Sequence, residues 1–219
     1  MTYAENIQPY LRKNAGIIQQ HLFVGTSNPY EGAELNVLQV VVTRGLQASG
    51  KSTWAKLLAE HSWGGHNHEE YRWVRICKDD IRLMMGEYWV PDREEYITSC
   101  VKSMIYGALM EGYCVVFDGL GLKEHTIRMI QRVCMDAARD RWLLQSVRCK
   151  VELFYKDFCK SIDQCIIDDK TGFKNGQRIY IGEDVIRETA KTYEAVLKTL
   201  LCDRAPYEVC NWSYYRDNK

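Results

Sequence analysis

One short segment constrains this chain more than any other, because it has the spacing of a phosphate-binding loop. Residues 45–52 read Gly-Leu-Gln-Ala-Ser-Gly-Lys-Ser, with two glycines, a lysine and a serine at the fixed positions of that loop. The apolar run 38–42 stands just before it, where such a loop requires a buried strand. The segment therefore predicts a strand, a loop and a helix that together bind a nucleoside triphosphate.

Each residue type in the loop has a physical task. Gly45 and Gly50 let backbone N–H groups turn inward towards an anion, and the helix that begins near Ser52 adds the positive end of its dipole. We expect Lys51 to contact the β- and γ-phosphates of ATP and the Ser52 hydroxyl to bind Mg²⁺. Capping or packing of the helix is a further role for Thr53. Three neighbours complete the expected triphosphate-binding set: Ala48, Ser49 and Thr53.

Short apolar runs and amphipathic stretches alternate along the rest of the chain, which is typical of an α/β protein. The predicted strands are 38–42, 71–77, 114–117 and 147–155. The predicted helices are 9–23, 52–62, 80–85, 91–111, 123–139, 157–168 and 182–201. Because strands that alternate with helices favour right-handed crossovers, we expect a three-layer fold with a mainly parallel central sheet flanked by helices.

Length and composition suit a single nucleotide-binding domain. The chain has 219 residues, 46% of them apolar, and we assign residues 37–219 to that domain, with 1–36 as an N-terminal appendage and a lid near 168–182. No apolar run approaches the roughly 18 residues of a membrane span, and the first residues lack a secretory pattern. The nine cysteines form no Cys-x-x-Cys pair. We therefore expect a cytoplasmic protein with no membrane partner.

The formal net charge is zero, so a nucleic-acid partner would have to be held by a local patch. The segment 123–150 is the candidate, because it carries seven basic against three acidic residues. A solvated helix face explains the same pattern.

Short motifs separate three classes of nucleotide-binding protein. Asp118 and Gly121 fit the Asp-x-x-Gly of GTPases, but no Asn-Lys-x-Asp guanine-binding motif follows. Motor ATPases usually place a second acid after the strand aspartate, where this chain has Gly119. A small kinase instead needs a base for the acceptor hydroxyl and cations around the moving phosphoryl group.

The segment 78–82 supplies such groups. Asp79 follows the second predicted strand, so it should emerge at the same sheet edge as the phosphate loop, with Arg82 one helical turn later on the same side. Helix N-capping by Asp79 and Asp80 is the alternative interpretation.

Residues 45–55, followed by Lys-Asp-Asp-Ile-Arg at 78–82, resemble in sequence and order the 5′-kinase domain of phage polynucleotide kinases. The resemblance covers roughly 39–201 and implies a P-loop kinase fold. It also implies that Asp79 is the general base, that Arg82 contacts the acceptor, and that Asp118 orients the acceptor or the metal shell.

Two departures from that family concern the substrate side. The family continues its strand aspartate as Asp-x-Asn-Leu, whereas this chain has Gly-Leu-Gly after Asp118 and lacks the Asn. Family members also carry a lid helix with arginines four residues apart. Here we expect Lys170, Lys174 and Arg178 to cover the triphosphate instead, and Arg178 is the strongest of these because its planar fork suits phosphate oxygens.

These residues lead us to expect an ATP- and Mg²⁺-dependent kinase that transfers the γ-phosphate to a hydroxyl of a nucleic acid, with a 5′-OH polynucleotide end as the leading acceptor. A phage kinase of 5-hydroxymethylpyrimidine (hydroxymethyluracil) bases in DNA is an alternative. A small nucleoside or metabolite kinase and a non-catalytic nucleotide-binding module are further alternatives. If the chain is phage-encoded, the compartment is the host cytoplasm.

Overall fold

The computed structural model describes residues 20–22, 36–63 and 72–202. Its strands are β1 (Gln20–Leu22), β2 (Asn36–Gly45), β3 (Trp73–Cys77), β4 (Cys114–Asp118) and β5 (Cys149–Phe158). Its helices are α1 (Lys51–Trp63), α2 (Lys78–Met84), α3 (Glu94–Met110), α4 (Glu124–Gln145), α5 (Ile162–Lys174) and α6 (Glu183–Cys202), with a 3₁₀ turn at Pro91–Arg93.

The strands form one sheet in the order β1-β5-β2-β4-β3. β2 pairs in parallel with both β5 and β4, and β4 pairs in parallel with β3. β1 is the exception, because it pairs antiparallel with the outer side of β5. The mainly parallel α/β prediction is therefore confirmed, and the phosphate loop leaves the middle of the sheet at its carboxyl edge.

The order of the strands fixes the layers. Since β2 and β3 are separated by β4, right-handed crossovers place α1 on one face and place α3 and α4, which pack together, on the other. β2 and β4 are covered on both faces, so their side chains form an almost continuous buried run that includes Val40, Val42, Val115 and Val116.

A second, smaller core lies at the carboxyl edge. It joins Leu46 of the phosphate loop to Cys165 and Ile166 of α5 and to Ile186 and Tyr193 of α6. The last two helices, α5 and α6, are thereby packed directly on the phosphate loop.

Three predicted helices differ from the structure by several residues, and the one predicted at 123–139 continues to Gln145 as α4. The helix at 9–23 is wrong at its end, because residues 20–22 form β1, which supplies hydrogen-bonding partners to an otherwise open edge of β5; the rest of that segment lies outside the described residues. The helix predicted at 157–168 begins later and ends later, since Asp157 belongs to β5 and Ser161 caps α5 by accepting the Gln164 N–H at 3.3 Å.

Among the described helices, none is both long and apolar enough to cross a bilayer.

Candidate active site

The phosphate loop has the backbone that its glycines predicted. Gly50 (φ +100°) and Ala48 (φ +59°) both lie in the left-handed region, and a Cβ on Gly50 would meet open space. Gly45 is different, because a Cβ there would stand 2.7 Å from the Phe158 carbonyl oxygen at the end of β5. The loop is thus closely packed at its start and open at its tip, where the backbone N–H groups of a phosphate loop meet an anion.

Lys51 lies inside the hollow of the loop and is buried. Its Nζ donates to the Gly45 carbonyl at 3.0 Å, to the Leu46 carbonyl, and to the Ser49 hydroxyl at 3.3 Å. Burial lowers the pKa of Lys51 to about 8, and the Asp118 carboxylate opposes that shift. A cation held among neutral acceptors is suited to binding phosphate oxygens.

Ser52 and Asp118 are joined across the sheet edge. The Ser52 hydroxyl donates to Asp118 Oδ1 at 3.1 Å, and the other carboxylate oxygen accepts from Arg75 Nε at 2.8 Å. Arg75 also pairs with Asp80, so it links β3, β4 and the start of α2. Sequence reasoning missed Arg75, which stands two residues before the end of β3 and had no motif to mark it.

The oxygen set of Ser52 and Asp118 fits Mg²⁺. This ion prefers oxygen ligands and usually takes one or two from the protein, with the remainder from water and substrate phosphates. Within the described ranges no group of three or more His, Cys, Asp or Glu side chains is arranged to hold a metal. Ser52 would hold the ion directly, and Asp118 would orient the Ser52 hydroxyl and the ion's outer ligands.

The Gly-Leu-Gly sequence after Asp118 packs against β2. The Thr43 hydroxyl bonds with the Gly119 backbone, donating to its carbonyl at 3.0 Å and accepting from its N–H at 3.2 Å. Gly121 (φ +62°) lies so close to β2 that a Cβ would stand 2.4 Å from the Thr43 carbonyl oxygen. This departure from the phage family therefore fixes the turn that follows Asp118.

Asp79 and Arg82 lie on one side of α2, as the helical spacing predicted. Arg82 NH1 donates to Asp79 Oδ1 at 2.5 Å, while Nε and NH2 donate to the two oxygens of Glu94 at 2.7 Å each. The hydrogen bonds with Glu94 raise the pKa of Arg82. Cys77 occupies the N-cap position, and Asp79 and Asp80 lie in the first turn. They are not the cap residues of the alternative interpretation.

Tyr88 is a further neighbour of Asp79 that the sequence did not reveal. Its hydroxyl lies near the Asp79 carboxylate, and burial together with that charge raises the pKa of Tyr88 to about 12. The residue lies in an irregular segment between α2 and the 3₁₀ turn, where no periodic pattern marks a role. Arg82 holds the carboxylate while leaving its side chain 53% exposed.

The predicted lid at 168–182 consists of the end of α5 and a connection to α6. The buried Asp169 accepts the N–H groups of Ile181 and Gly182, each at 3.1 Å, and so closes the connection onto the helix. Its other oxygen lies 3.0 Å from Arg178 Nε, an ion pair whose N–H is not aligned for a hydrogen bond. Arg178 is near enough to Lys51 to lower its pKa.

The other expected lid cations lie elsewhere. Lys170 pairs with Glu183 at 3.3 Å, and Lys174 is exposed as the last residue of α5 rather than lying in the loop. Lys160, which we had not singled out, donates to the Ala48 carbonyl at 3.3 Å and pairs with Asp168. Its place just beyond the end of β5, at the active edge, was the available signal.

The basic segment 123–150 is mostly committed to contacts within the protein. Arg141 is buried and donates to the Leu109 and Met110 carbonyls, each at 2.8 Å, at the end of α3. Exposed Arg128 and Arg139 pair with acidic side chains of α4. The solvated, internally paired helix face explains these residues better than a nucleic-acid patch.

Comparison with known proteins gives both family and fold. A family model described as an AAA domain matches residues 40–200. A chain of the Pnkp1/Rnl/Hen1 RNA repair complex superposes with a TM-score of 0.55 at 18% identity, covering 86% of this chain and 53% of that one. This chain thus spans about half the length of that solved chain. Among curated proteins, none matches.

Two further solved structures have lower scores. A gluconokinase from Sinorhizobium meliloti 1021 gives a TM-score of 0.43 at 12% identity, covering 70% of this chain and 74% of that one. The Mycobacterium tuberculosis APS kinase CysC, solved with AMPPNP and APS, gives 0.43 at 15% identity, covering 65% and 76%. The match above 0.5 supports the P-loop kinase fold that the sequence predicted.

Proposed function

The chain belongs to the AAA-domain family of P-loop proteins, and from that premise we propose that it is an ATP- and Mg²⁺-dependent kinase acting on a hydroxyl of a nucleic acid. The favoured acceptor is a 5′-OH polynucleotide end, and the proposed location is the cytoplasm. The solved chain that shares its fold comes from an RNA repair complex, which supports this choice of acceptor.

The observation that carries the proposal is the position of an exposed carboxylate at the edge of the phosphate loop. Asp79 follows β3 at the carboxyl edge from which the phosphate loop also leaves, since Cys77 pairs with Asp118 there, and its carboxylate is held by Arg82. A carboxylate so placed can accept a proton from a hydroxyl that approaches the triphosphate. A protein that only bound nucleotide would not need this arrangement.

Each side chain then has a defined role in the transfer. Lys51 and the loop N–H groups bind the β- and γ-phosphates. Ser52, oriented by Asp118, would hold Mg²⁺, which would supply positive charge to these phosphates. Asp79 accepts the hydroxyl proton as the acceptor oxygen bonds to the γ-phosphorus and the bond to the β–γ bridging oxygen breaks, releasing ADP. Arg82 contacts the acceptor, and Arg178 covers the moving phosphoryl group.

The test is transfer of label from γ-labelled ATP with Mg²⁺ to a panel of acceptors: 5′-OH DNA, 5′-OH RNA, hydroxymethyluracil DNA and free nucleosides. We expect label on a 5′-OH polynucleotide, lost with Lys51→Ala and reduced about 10²–10⁴-fold with Asp79→Asn. Asp136→Asn is the matched control, because the side-chain exposure of that aspartate on α4 is 52%, against 53% for Asp79.

The panel also separates the alternatives. Label on hydroxymethyluracil DNA alone would reassign the enzyme to base phosphorylation, and label on free nucleosides alone would make it a small-molecule kinase. ATP binding without label on any acceptor, unaffected by Asp79→Asn, would favour a nucleotide-binding module.

A further inference from the structure

Trp89 is an exposed aromatic side chain beside the proposed acceptor site. It lies in the segment between α2 and the 3₁₀ turn, and 61% of its surface is accessible. Its neighbour in sequence, Tyr88, packs against Arg82, whose guanidinium carbon lies 5.7 Å from the centre of that ring, so this segment lies close to the proposed base. A large indole left open at such a place offers a flat apolar face to whatever reaches the carboxylate.

Arg82 joins the ring to the catalytic carboxylate. Its guanidinium carbon lies 5.2 Å from the centre of the Trp89 ring, within the range of a cation–π contact. The same guanidinium is fixed by one bond to Asp79 and two to Glu94. The Asp79 carboxylate and the Trp89 indole thus contact the same guanidinium, so the ring lies in the immediate surroundings of the proposed base.

We propose that Trp89 stacks on the base of the nucleotide whose hydroxyl is phosphorylated, which makes the acceptor a base-bearing molecule rather than a sugar acid or another small polar metabolite. This inference rests on the proposed kinase activity and names the acceptor class of that same site. Every base has a π-face, so stacking here selects for a base without selecting its sequence. A sugar acid has no π-face, so it would not make the stacking contact that a base makes with the indole.

The test uses two 5′-OH oligonucleotides that differ only at the terminal nucleotide, which carries either a base or an abasic site. For the base-bearing oligonucleotide we expect Trp89→Ala to lower both kcat/KM and equilibrium binding by about 5- to 150-fold. The abasic one should respond little, and Trp89→Phe should retain most of the preference. Leu144→Ala is the control, because that exposed side chain lies in the last turn of α4, at the edge of the sheet opposite the one that carries the site.

The outcomes separate this inference from the function on which it rests. Phosphoryl transfer that is equally fast to both oligonucleotides, or a Trp89→Ala loss that is the same for both, overturns the stacking role and leaves the kinase intact. Base-dependent binding that Trp89→Ala removes, without transfer to either oligonucleotide, supports the stacking site and overturns the kinase proposal. Neither transfer nor base-dependent binding overturns both.

Discussion

At the scale of single residues, the site depends on how two charges are held. The Asp79 carboxylate is oriented by the Arg82 guanidinium, and Lys51 is held by the carbonyls of its own loop. Asp79 remains accessible, whereas Lys51 has lost most of its hydration. The first residue is thereby suited to meeting a substrate, and the second to binding an anion that replaces the lost water.

Removing the phenol hydroxyl should impair turnover without impairing nucleotide binding. Tyr88→Phe removes the hydroxyl that lies near the Asp79 carboxylate and leaves Arg82 to position it, so kcat should fall by about tenfold. KM for ATP should stay the same. Tyr106→Phe is the matched control, because it removes a tyrosine hydroxyl that donates to Asp140 at 2.9 Å, between α3 and α4. Equal losses in both variants would contradict the positioning role.

The lowered pKa of Lys51 predicts a pH limit on nucleotide binding. Below a pH of about 8 the ammonium is charged and attracts phosphate; above it the free protein loses that charge, so ATP affinity should fall as pH rises. Loss of one proton weakens binding by at most about tenfold per pH unit. Titration with a fluorescent ATP analogue measures it.

Lys51→Arg tests the cause, because arginine stays charged far beyond that range. The variant should bind ATP with little change across the same pH interval. A decline of equal slope in both proteins would show that another group titrates.

At the scale of elements, the position of Arg178 in the connection after α5 depends on the absence of a side chain at Gly172. A Cβ at Gly172 would stand 2.8 Å from Arg178 Cδ. The aliphatic part of the Arg178 side chain can therefore pack directly on the α5 backbone because residue 172 is glycine. Buried Asp169, one turn earlier, fixes both the connection and the guanidinium. Gly172 and Asp169 together position Arg178 near Lys51 of the phosphate loop.

Gly172→Ala should therefore displace Arg178 while leaving the fold intact, since a flexible stem can move aside. We expect lower kcat with an unchanged or slightly higher thermal unfolding temperature. Gly107→Ala, in α3 with open space around it, should raise stability by about 0.5–1 kcal/mol and leave kcat unchanged. Unchanged kcat in Gly172→Ala would remove Arg178 from the mechanism.

The elements also show how far sequence reasoning reached. The phosphate loop, β4 ending at Asp118 and the placement of Asp79 and Arg82 on one side of α2 were predictable, because each depends on short spacings with strong physical causes. Tyr88 and Lys160 were not, since each contact depends on how separate segments meet. The start of α5 was misplaced because Asp157, a good cap residue, is used instead in a strand ion pair.

At the scale of the molecule, β2 and β5 are locked together at the edge that carries the site. Arg44, just before the phosphate loop, is buried and pairs with Asp157 through contacts of 2.9 and 2.6 Å. The Tyr155 ring packs against its guanidinium, and the Tyr193 hydroxyl of α6 donates to Asp157. The cluster connects sheet, loop and last helix in one unit.

Breaking this cluster should be costly. Asp157→Asn leaves the Arg44 charge buried without its partner, so the free energy of unfolding should fall by about 3–5 kcal/mol, measured by urea denaturation. Asp163→Asn removes an exposed pair with Arg187 and should change it by less than about 1 kcal/mol. If the two variants lost the same free energy of unfolding, burial of the Arg44–Asp157 pair would not be the reason for its contribution to stability.

Strand β1 affects whether the protein associates with further copies of itself. It covers the outer edge of β5, whose N–H and C=O groups would otherwise be available to a strand from another molecule. A version of the chain that starts at Asn36 should consequently self-associate as its concentration rises, which light scattering would detect. By pairing with β5, β1 would then prevent edge-to-edge association between copies of the protein.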